Sequence, residues 1–280
     1  PELCAKLREL AGKGLITLLE NTENKGFVGT ANRGLFLNAD RDVVLLNSDT
    51  VVYDGWLDRL AHHGRLPDVG TVTPLSNNAT IMSYPFTLEN NNCDLELSHE
   101  ELDRTCADVN RRTHVEVPTG VGFCFYVRRD LMDAIGGLDE EAFGRGYGEE
   151  NDFCLRAAKA GWRNLAALDL YVRHTGEVSF SASASSQKSI GALKLVSLHP
   201  EYPKLVDDFI KADPLRPARE AIDLVRIKRA NAGRGVVFVD HGWIGGILRH
   251  LKELTACLGR EGVTVSRLSP VDEGASLKLS

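Results

Sequence analysis

The 280-residue sequence predicts an α/β protein built around a mostly parallel sheet. Within residues 1–75, short apolar runs alternate with stretches of helical periodicity, a pattern typical of α/β sheets rather than sandwiches or bundles. The run at 43–46 is apolar on both faces, which predicts a central strand of that sheet. The same alternation restarts after residue 233, so we predict a second α/β unit there.

Apolar spacing locates the individual elements of the first unit. We predict strands at 15–19, 43–46, 70–73, 114–117, 121–127 and 165–172. We predict helices at 3–11, 26–39, 56–63, 100–110, 129–135 and 149–160, the last two closed by glycines. Residues 76–94 are rich in Asn, Ser and Thr and show no period, which predicts a long loop of the kind that often carries function.

The rest of the chain predicts three helices and a small βαβ unit. The helices lie at 187–198, 202–212 and 214–230, and the βαβ unit has a strand at 235–239, a helix at 247–259 and a strand at 263–265. We interpret the helix at 214–230 as a linker or packing helix. The predicted domains are therefore 1–200, a helical linker at 201–232, and a partial second α/β domain at 233–280.

Composition excludes several classes of protein. The sequence is 43% hydrophobic and 26% charged, which excludes disorder and collagen, and its formal charge of −6 argues against a nucleic-acid partner. It contains no apolar run long enough to span a membrane and opens without a signal peptide, so we expect a cytosolic protein. Six cysteines without a CxxC pair, several in apolar runs, predict buried reduced thiols.

The first candidate site follows the strand predicted at 43–46. Asn47 and Asp49 directly succeed that strand, and ligands of open α/β sheets bind at the carboxyl edge. A carboxylate there can hold Mg²⁺ or Mn²⁺ against the oxygens of a diphosphate. Alternatively, Asp49 caps the helix that begins near Gly55 or stabilises a turn.

The second candidate site opens the helix predicted at 149–160. Acidic residues in a first helical turn commonly offset the helix macrodipole, which is the structural interpretation of this cluster. Asp152 can pair with Arg156 one turn later, whereas Glu149 and Glu150 remain beside a glycine-rich approach at 143–148. A carboxylate in that position can accept a proton from a hydroxyl nucleophile.

Two weaker signals complete the candidates. His174 follows the last strand of the first unit, where a histidine is either a surface or packing residue or a divalent-metal ligand. The loop that contains Asn24 and Gly26 enters a helix with Asn32 in it, and backbone amides at a helix start can face an anion. This loop matches neither the Walker loop nor a dinucleotide fingerprint.

These segments, taken in order, resemble the family 2 inverting nucleotide-sugar glycosyltransferases of the Rossmann-like GT-A fold. The resemblance covers residues 1–200 and rests on NKGF at 24–27, LLNSDT at 45–50, GWL at 55–57, GVGFC at 120–124, GLD at 137–139, GEENDFCLR at 148–156, and His174. It implies a nucleotide-diphosphate sugar donor, UDP- or dTDP-linked, and a glycan or lipid-linked acceptor.

The resemblance also implies a role for each matching residue. Asp49 would ligate Mg²⁺ or Mn²⁺ in the place of the DxD motif, with Asn47 where the first Asp is usual, and His174 would be a further ligand. Glu150 would be the general base. The remaining implied roles are donor binding by Asn24, Gly26, Asn32, Asn47 and Asp49, and support by Glu149, Asp152 and Arg156.

Two features concern the ends of the chain. The family begins with an apolar strand and a loop that hold the nucleotide base, and Pro1 follows that point, so we expect weak nucleotide binding and an open sheet edge. The segment at 235–265 is similar to the start of GT-B glycosyltransferases, in which Gly245 and Gly246 would contact donor or acceptor. A parent with two transferase modules is then expected.

The function that this resemblance implies is metal-dependent inverting sugar transfer in the synthesis of bacterial surface polysaccharide, such as O-antigen or capsule. It would take place in the cytoplasm, with peripheral association of the parent with the inner face of the membrane as an option. Two alternatives stay open. One is a glycan- or nucleotide-sugar-binding module without turnover, and the other is a sugar nucleotidyltransferase, whose usual glycine-rich basic loop near the amino terminus is not visible.

Overall fold

The computed structural model describes residues 2–144, 146–176, 182–230, 235–240, 246–271 and 276–279. Its helices, in chain order, are α1 (Glu2–Gly12), α2 (Gly26–Leu35), α3 (Trp56–Gly64), α4 (His99–Val109), α5 (Arg129–Ile135), α6 (Glu140–Phe143), α7 (Glu149–Lys159), α8 (Ala182–Leu198), α9 (Tyr202–Ala212), α10 (Arg216–Ala230) and α11 (Gly246–Arg260). Its strands are β1 (Val43–Leu46), β2 (Thr50–Val51), β3 (Val69–Leu75), β4 (His114–Glu116), β5 (Cys124–Val127), β6 (Arg163–Tyr171), β7 (Arg173–His174), β8 (Gly235–Val239), β9 (Thr264–Val271) and β10 (Ser276–Leu279).

The main sheet has five strands in the order β1-β5-β3-β6-β4. β3 and β6 pair in parallel at its centre, while β5 is antiparallel to both β1 and β3, and β4 is antiparallel to β6. It follows that β1, β3 and β6 run in one direction and the other two strands run against them. This arrangement confirms the predicted α/β class, with a mixed sheet in which three of the five strands run in the same direction.

Both faces of the sheet are covered, because successive side chains of β5 enter different cores. Cys124 and Tyr126 join the core that contains Leu60 of α3 and Leu102 of α4. Phe125 and Val127 join the core on the other face, beneath α2, α5 and α7. The ends of the central strands are thereby held in fixed positions.

Two predictions about the first strands are wrong. Residues 15–19 form no strand, and Leu15 is 68% exposed, because no described strand lies beside this segment to complete a ladder. The strand predicted to be central, β1, lies at the edge of the described sheet and pairs only with β5. Its apolar composition therefore reflects partial burial rather than a central position. The helix predicted at 26–39 ends earlier, at Leu35.

The helix interpreted as a linker or packing helix packs on the main sheet. Leu215 precedes α10, and Ala218 and Ile222 lie within it; all three are buried in the same core as α3 and α4. After α10 in the sequence, β8 and β9, which are separated by α11, pair in parallel. β10 pairs antiparallel with β9. The predicted βαβ elements are thus present, while the domain limits at 200 and 233 stay predictions.

The cysteines and the helices bear on two further expectations. Cys106, Cys124 and Cys154 are buried, as predicted, whereas Cys4, Cys93 and Cys257 are exposed. Among the described residues, no helix has the length and apolar character needed to cross a membrane.

Candidate active site

A short ladder between β2 and β7 brings two sequence-predicted residues together. After β1, the turn at Asn47 is closed by Thr50, whose backbone N–H and hydroxyl donate to the Asn47 carbonyl at 3.3 and 2.6 Å. In the ladder, Thr50 lies opposite His174. Asp49 and His174 consequently face each other, with 3.5 Å between Oδ2 and Nε2.

The hydrogen bonds of His174 determine which of its nitrogens faces Asp49. Its Nδ1 lies 2.9 Å from the carbonyl of Asn78, and since a carbonyl only accepts, Nδ1 carries the proton. In the neutral imidazole, Nε2 then offers a lone pair toward Asp49. Asn77 fixes the His174 backbone on both sides, at 2.8 and 2.9 Å, and Asp49 Oδ2 also accepts from the N–H of Gly176 at 3.0 Å.

This donor set fits a divalent cation. A carbonyl that holds the second imidazole nitrogen is a common support of metal-ligating histidines. No group of three or more His, Cys, Asp or Glu side chains suited to a metal occurs in the described part of the chain. Asp49 and His174 would therefore supply two ligands, which suits an ion such as Mg²⁺ or Mn²⁺ that completes its shell with water and substrate phosphate oxygens.

The segment at Gly122 and Phe123 connects this pair to the predicted base. The Phe123 carbonyl accepts from Asn47 N–H at 2.9 Å, and its ring stacks on His174 with 5.1 Å between centroids. The backbone N–H of the preceding residue, Gly122, lowers the pKa of the Glu150 carboxyl group. A Cβ on Gly122 would lie 3.9 Å from the carboxyl carbon of Glu150. Three distant stretches of sequence therefore meet around two consecutive residues.

Glu149 and Glu150 lie in the first turn of α7, where Glu149 is buried and Glu150 is half-buried. In each, Oε2 is buried and has no hydrogen-bond partner within the described residues. Burial and, to a smaller extent, the neighbouring Glu150 carboxylate raise the pKa of Glu149 to about 8. Burial also raises the pKa of Glu150, against the backbone N–H groups of Glu150, Gly148 and Gly122, which lower it. A carboxylate with a raised pKa is a better acceptor for a hydroxyl proton.

The predicted pair of Asp152 and Arg156 forms, and it faces the interior. Arg156 Nε donates to Asp152 Oδ2 at 2.7 Å, and its two terminal nitrogens donate to the carbonyls of Ile135 and Gly137. The other oxygen of Asp152 lies 2.7 Å from Nε2 of the buried His199. His199 was not predicted from the sequence, because it gives no local signal there. These contacts anchor α7, and a role in supporting Glu150 stays a prediction.

The residues predicted at the donor loop make contacts within the fold. Asn24 Oδ1 accepts from Gly26 N–H at 2.9 Å, where Gly26 has a φ of 70° and opens α2. Asn32 bonds to both the N–H and the carbonyl of Leu138. The side-chain hydrogen bonds of Asn24 and Asn32 go to Gly26 and Leu138 rather than to Asp49. Donor binding by Asn24, Gly26 and Asn32 therefore stays a prediction.

The predicted contacts of the second unit remain untested. Gly245 lies outside the described residues, and Gly246 is the first residue of α11.

A polar cavity of about 370 Å³ adjoins the Asp49–His174 pair. It is lined by Asn77, Asn91, Asn92, Cys93, Asp94, His99, Arg173, Thr175 and Gly176. Much of its wall comes from the loop predicted at 76–94, whose only signal in the sequence is its composition. Arg173, adjacent to the predicted ligand His174, was missed.

Residues 2–188 match the model of a glycosyltransferase family. The family is described as "Glycosyltransferase like family 2", and because the match extends over more than half of the chain, the chain belongs to it. Uncharacterized proteins of Mycobacterium bovis and Mycobacterium tuberculosis are 31% identical over 159 residues, which is 55% of this chain and 55% of theirs. The chain thus spans about half the length of these relatives.

Among solved structures, the fold is similar to that of a mannosyltransferase, PcManGT from Pyrobaculum calidifontis, in complex with GDP-Man and Mn²⁺. The TM-score is 0.49 at 15% identity, and the similarity covers 91% of this chain and 67% of that one.

Proposed function

We propose that this glycosyltransferase family member transfers a sugar from a nucleotide-diphosphate donor to a hydroxyl acceptor with inversion at the anomeric carbon. The observation that carries the proposal is the junction at Gly122 and Phe123. It lies between two groups. One is the Asp49–His174 pair, which offers an oxygen and a lone pair to one ion, and the other is Glu150, whose buried carboxylate oxygen can accept a proton.

Asp49 and His174 would hold the divalent cation. When bound there, the cation would supply positive charge to the departing nucleotide diphosphate. One imidazole beside one carboxylate is nearer to the preference of a transition metal than to that of Mg²⁺, which takes oxygen ligands, so Mn²⁺ is the better candidate of the two. Phe123 and Asn78 keep the imidazole oriented for this role.

Glu150 would act as the general base. Its carboxylate takes the proton of the acceptor hydroxyl while that oxygen forms a bond to the anomeric carbon and the bond to the diphosphate oxygen breaks. A single displacement of this kind inverts the configuration. Because the pKa of Glu149 is raised to about 8, this side chain is mostly protonated at neutral pH and adds little negative charge beside Glu150.

The wider setting is proposed on family membership and on the resemblance. We expect a UDP- or dTDP-linked donor, a glycan or lipid-linked acceptor, and a role in bacterial surface polysaccharide synthesis in the cytoplasm at the inner face of the membrane. The similarity of the unit at 235–265 to a GT-B domain belongs to the same proposal.

The test of the metal site is a titration of the full chain with Mn²⁺ and UDP or dTDP. We expect Asp49→Asn and His174→Ala each to abolish Mn²⁺-dependent nucleotide binding. Asp58→Asn, which changes an exposed carboxylate on α3, is the control and should bind normally. Unchanged Mn²⁺-dependent binding in both site variants would reject the assignment.

A nucleotide-sugar-binding module without turnover is the second candidate, and Asn47 favours it because the usual first acid of the metal motif is missing. Incubation with a panel of activated sugars and acceptors separates the two. Tight Mn²⁺-dependent donor binding without released nucleotide diphosphate or transferred sugar would support the binding module.

A further inference from the structure

The polar cavity beside the Asp49–His174 pair lies between the 77–99 segment and β7. It shares residues with the proposed metal site. Gly176 lines the cavity and donates its N–H to Asp49, and Asn77 lines it and clamps the backbone of His174. A ligand in the cavity would therefore lie next to the proposed reaction centre.

Two asparagines of the lining, Asn77 and Asn91, use their side-chain amides to hold the surrounding backbone. The Asn91 amide donates to the carbonyls of Phe86 at 2.8 Å and Asn77 at 3.2 Å, and its Oδ1 accepts from Phe86 N–H. Both polar atoms of the Asn77 side chain bond to His174. These two amides are committed to the fold, so the wall is formed before any ligand binds.

Other lining groups are free to bind a ligand. The side chains of Asn92, Asp94, Arg173 and Thr175 are exposed and make no hydrogen bond or ion pair within the part of the chain that the structure describes. Burial lowers the pKa of His99; the charge of Arg173 lowers it further, while that of Asp94 raises it, so both charges act on its ring. Its ring stacks on Tyr171 with 5.8 Å between centroids, which fixes its orientation.

The charges of the free groups determine the class of ligand. An anionic ligand would meet Asp94, and a cationic ligand would meet Arg173, whereas the hydroxyls of a neutral sugar both donate and accept and so satisfy the carboxylate, the guanidinium and the amide together. The volume, about 370 Å³, lies within the range of small-molecule pockets, about 300 to 1,000 Å³. We infer that this cavity binds a neutral, hydroxyl-rich sugar of the acceptor glycan. The assignment to the acceptor rests on the proposed function.

Cys93 provides a direct reporter of occupancy, because it is exposed and lines the cavity. Cys4 and Cys257 are the other exposed thiols and are removed as Cys4→Ser and Cys257→Ser. The buried thiols will react slowly, since burial raises the pKa of Cys124 and Cys154 to about 12. The rate of iodoacetamide alkylation then reports on Cys93 alone.

The experiment uses the full chain, and its saccharide arms contain neither metal nor donor. It measures protection of Cys93 by a panel of neutral mono- and disaccharides, by their uronic-acid counterparts, and by UDP with Mn²⁺. We expect neutral saccharides to protect, and Asp94→Ala and Arg173→Ala to weaken that protection about tenfold, since each removes charge-assisted hydrogen bonds. Arg104→Ala, an exposed arginine on α4 that lies outside the cavity lining, is the matched control.

Each contrary outcome overturns the inference. Protection by no saccharide shows that the cavity is not a sugar site, and protection by uronic acids alone shows an anionic ligand. Protection by UDP with Mn²⁺ alone assigns the cavity to the donor. Because the assay needs neither metal nor turnover, protection by neutral sugars combined with no transfer would leave the cavity assignment in place and reject only the proposed function.

Discussion

The ring of Phe123 lies almost parallel to the imidazole of His174, with 5.1 Å between their centroids and 16° between their planes. Phe123 is buried and belongs to the segment that enters β5, whereas His174 ends β7. The stacking therefore fixes the orientation of a proposed metal ligand from a different part of the fold, independently of the bond from Nδ1 to Asn78.

We expect Phe123→Leu to weaken Mn²⁺-dependent nucleotide binding, because the smaller side chain no longer holds the His174 ring. The matched control is Phe125→Leu, which removes a similar buried ring from the core on the other face of the sheet. Both substitutions should cost stability of about 1 to 3 kcal/mol, measured by urea unfolding, because each leaves a cavity. Equal loss of binding in the two variants would show that Phe123 acts only through stability.

Glu150→Gln is expected to abolish sugar transfer and to leave nucleotide binding nearly intact, because the amide keeps the shape of the side chain but cannot take the acceptor proton. The contrasting variant is Glu149→Gln. Since Glu149 is mostly protonated below pH 8, its amide resembles the form already present, and transfer should fall only slightly. Turnover assays of both variants at pH 7 test whether Glu150 is the general base. Near-normal turnover of Glu150→Gln would show that it is not.

The raised pKa of Glu149 predicts a pH dependence of stability. Its pKa in the folded protein is about 8, above its ordinary value of 4.5, so between these values the folded state binds more protons than the unfolded state. The free energy of unfolding therefore contains a contribution that is complete below pH 4.5 and is lost as the pH rises toward 8. The slope is at most about 1.4 kcal/mol per pH unit for one proton.

Urea unfolding of the native protein and of Glu149→Gln, from pH 5 to pH 8, measures this contribution. The variant has no proton to lose at this position, so its stability should fall less across the range. Parallel curves for the two proteins would mean that the pKa of Glu149 is close to ordinary in the folded state.

The sequence predicts the site where its residues follow strands, and it fails where contacts arise only on folding. Asp49 and His174 each succeed a strand, and their predicted proximity is what the β2–β7 ladder produces. The bond from His199 to Asp152 and the bond from His174 to Asn78 join residues far apart in sequence, and neither His199 nor Asn78 belongs to a periodic pattern. The segment at 15–19 shows the converse error, because apolar alternation cannot form a strand without a neighbour.

The ion pair that joins the 77–99 segment to α10 supports a last prediction. Arg226 is buried and pairs with both carboxylate oxygens of Glu96, at 2.5 and 3.0 Å, and it also donates to Tyr84 and Asp223. Arg226→Ala should lower the free energy of unfolding by about 2 kcal/mol, because it leaves charged partners without their donor. Arg229→Ala is the control, since this arginine on the same helix is exposed, and its pair with a carboxylate across 3.5 Å should contribute less than about 1 kcal/mol. Since Glu96 lies three residues after Cys93, Arg226→Ala should also speed the alkylation of Cys93 under native conditions. An alkylation rate equal to that of the control would show that the 77–99 segment keeps its shape without the Arg226 ion pair.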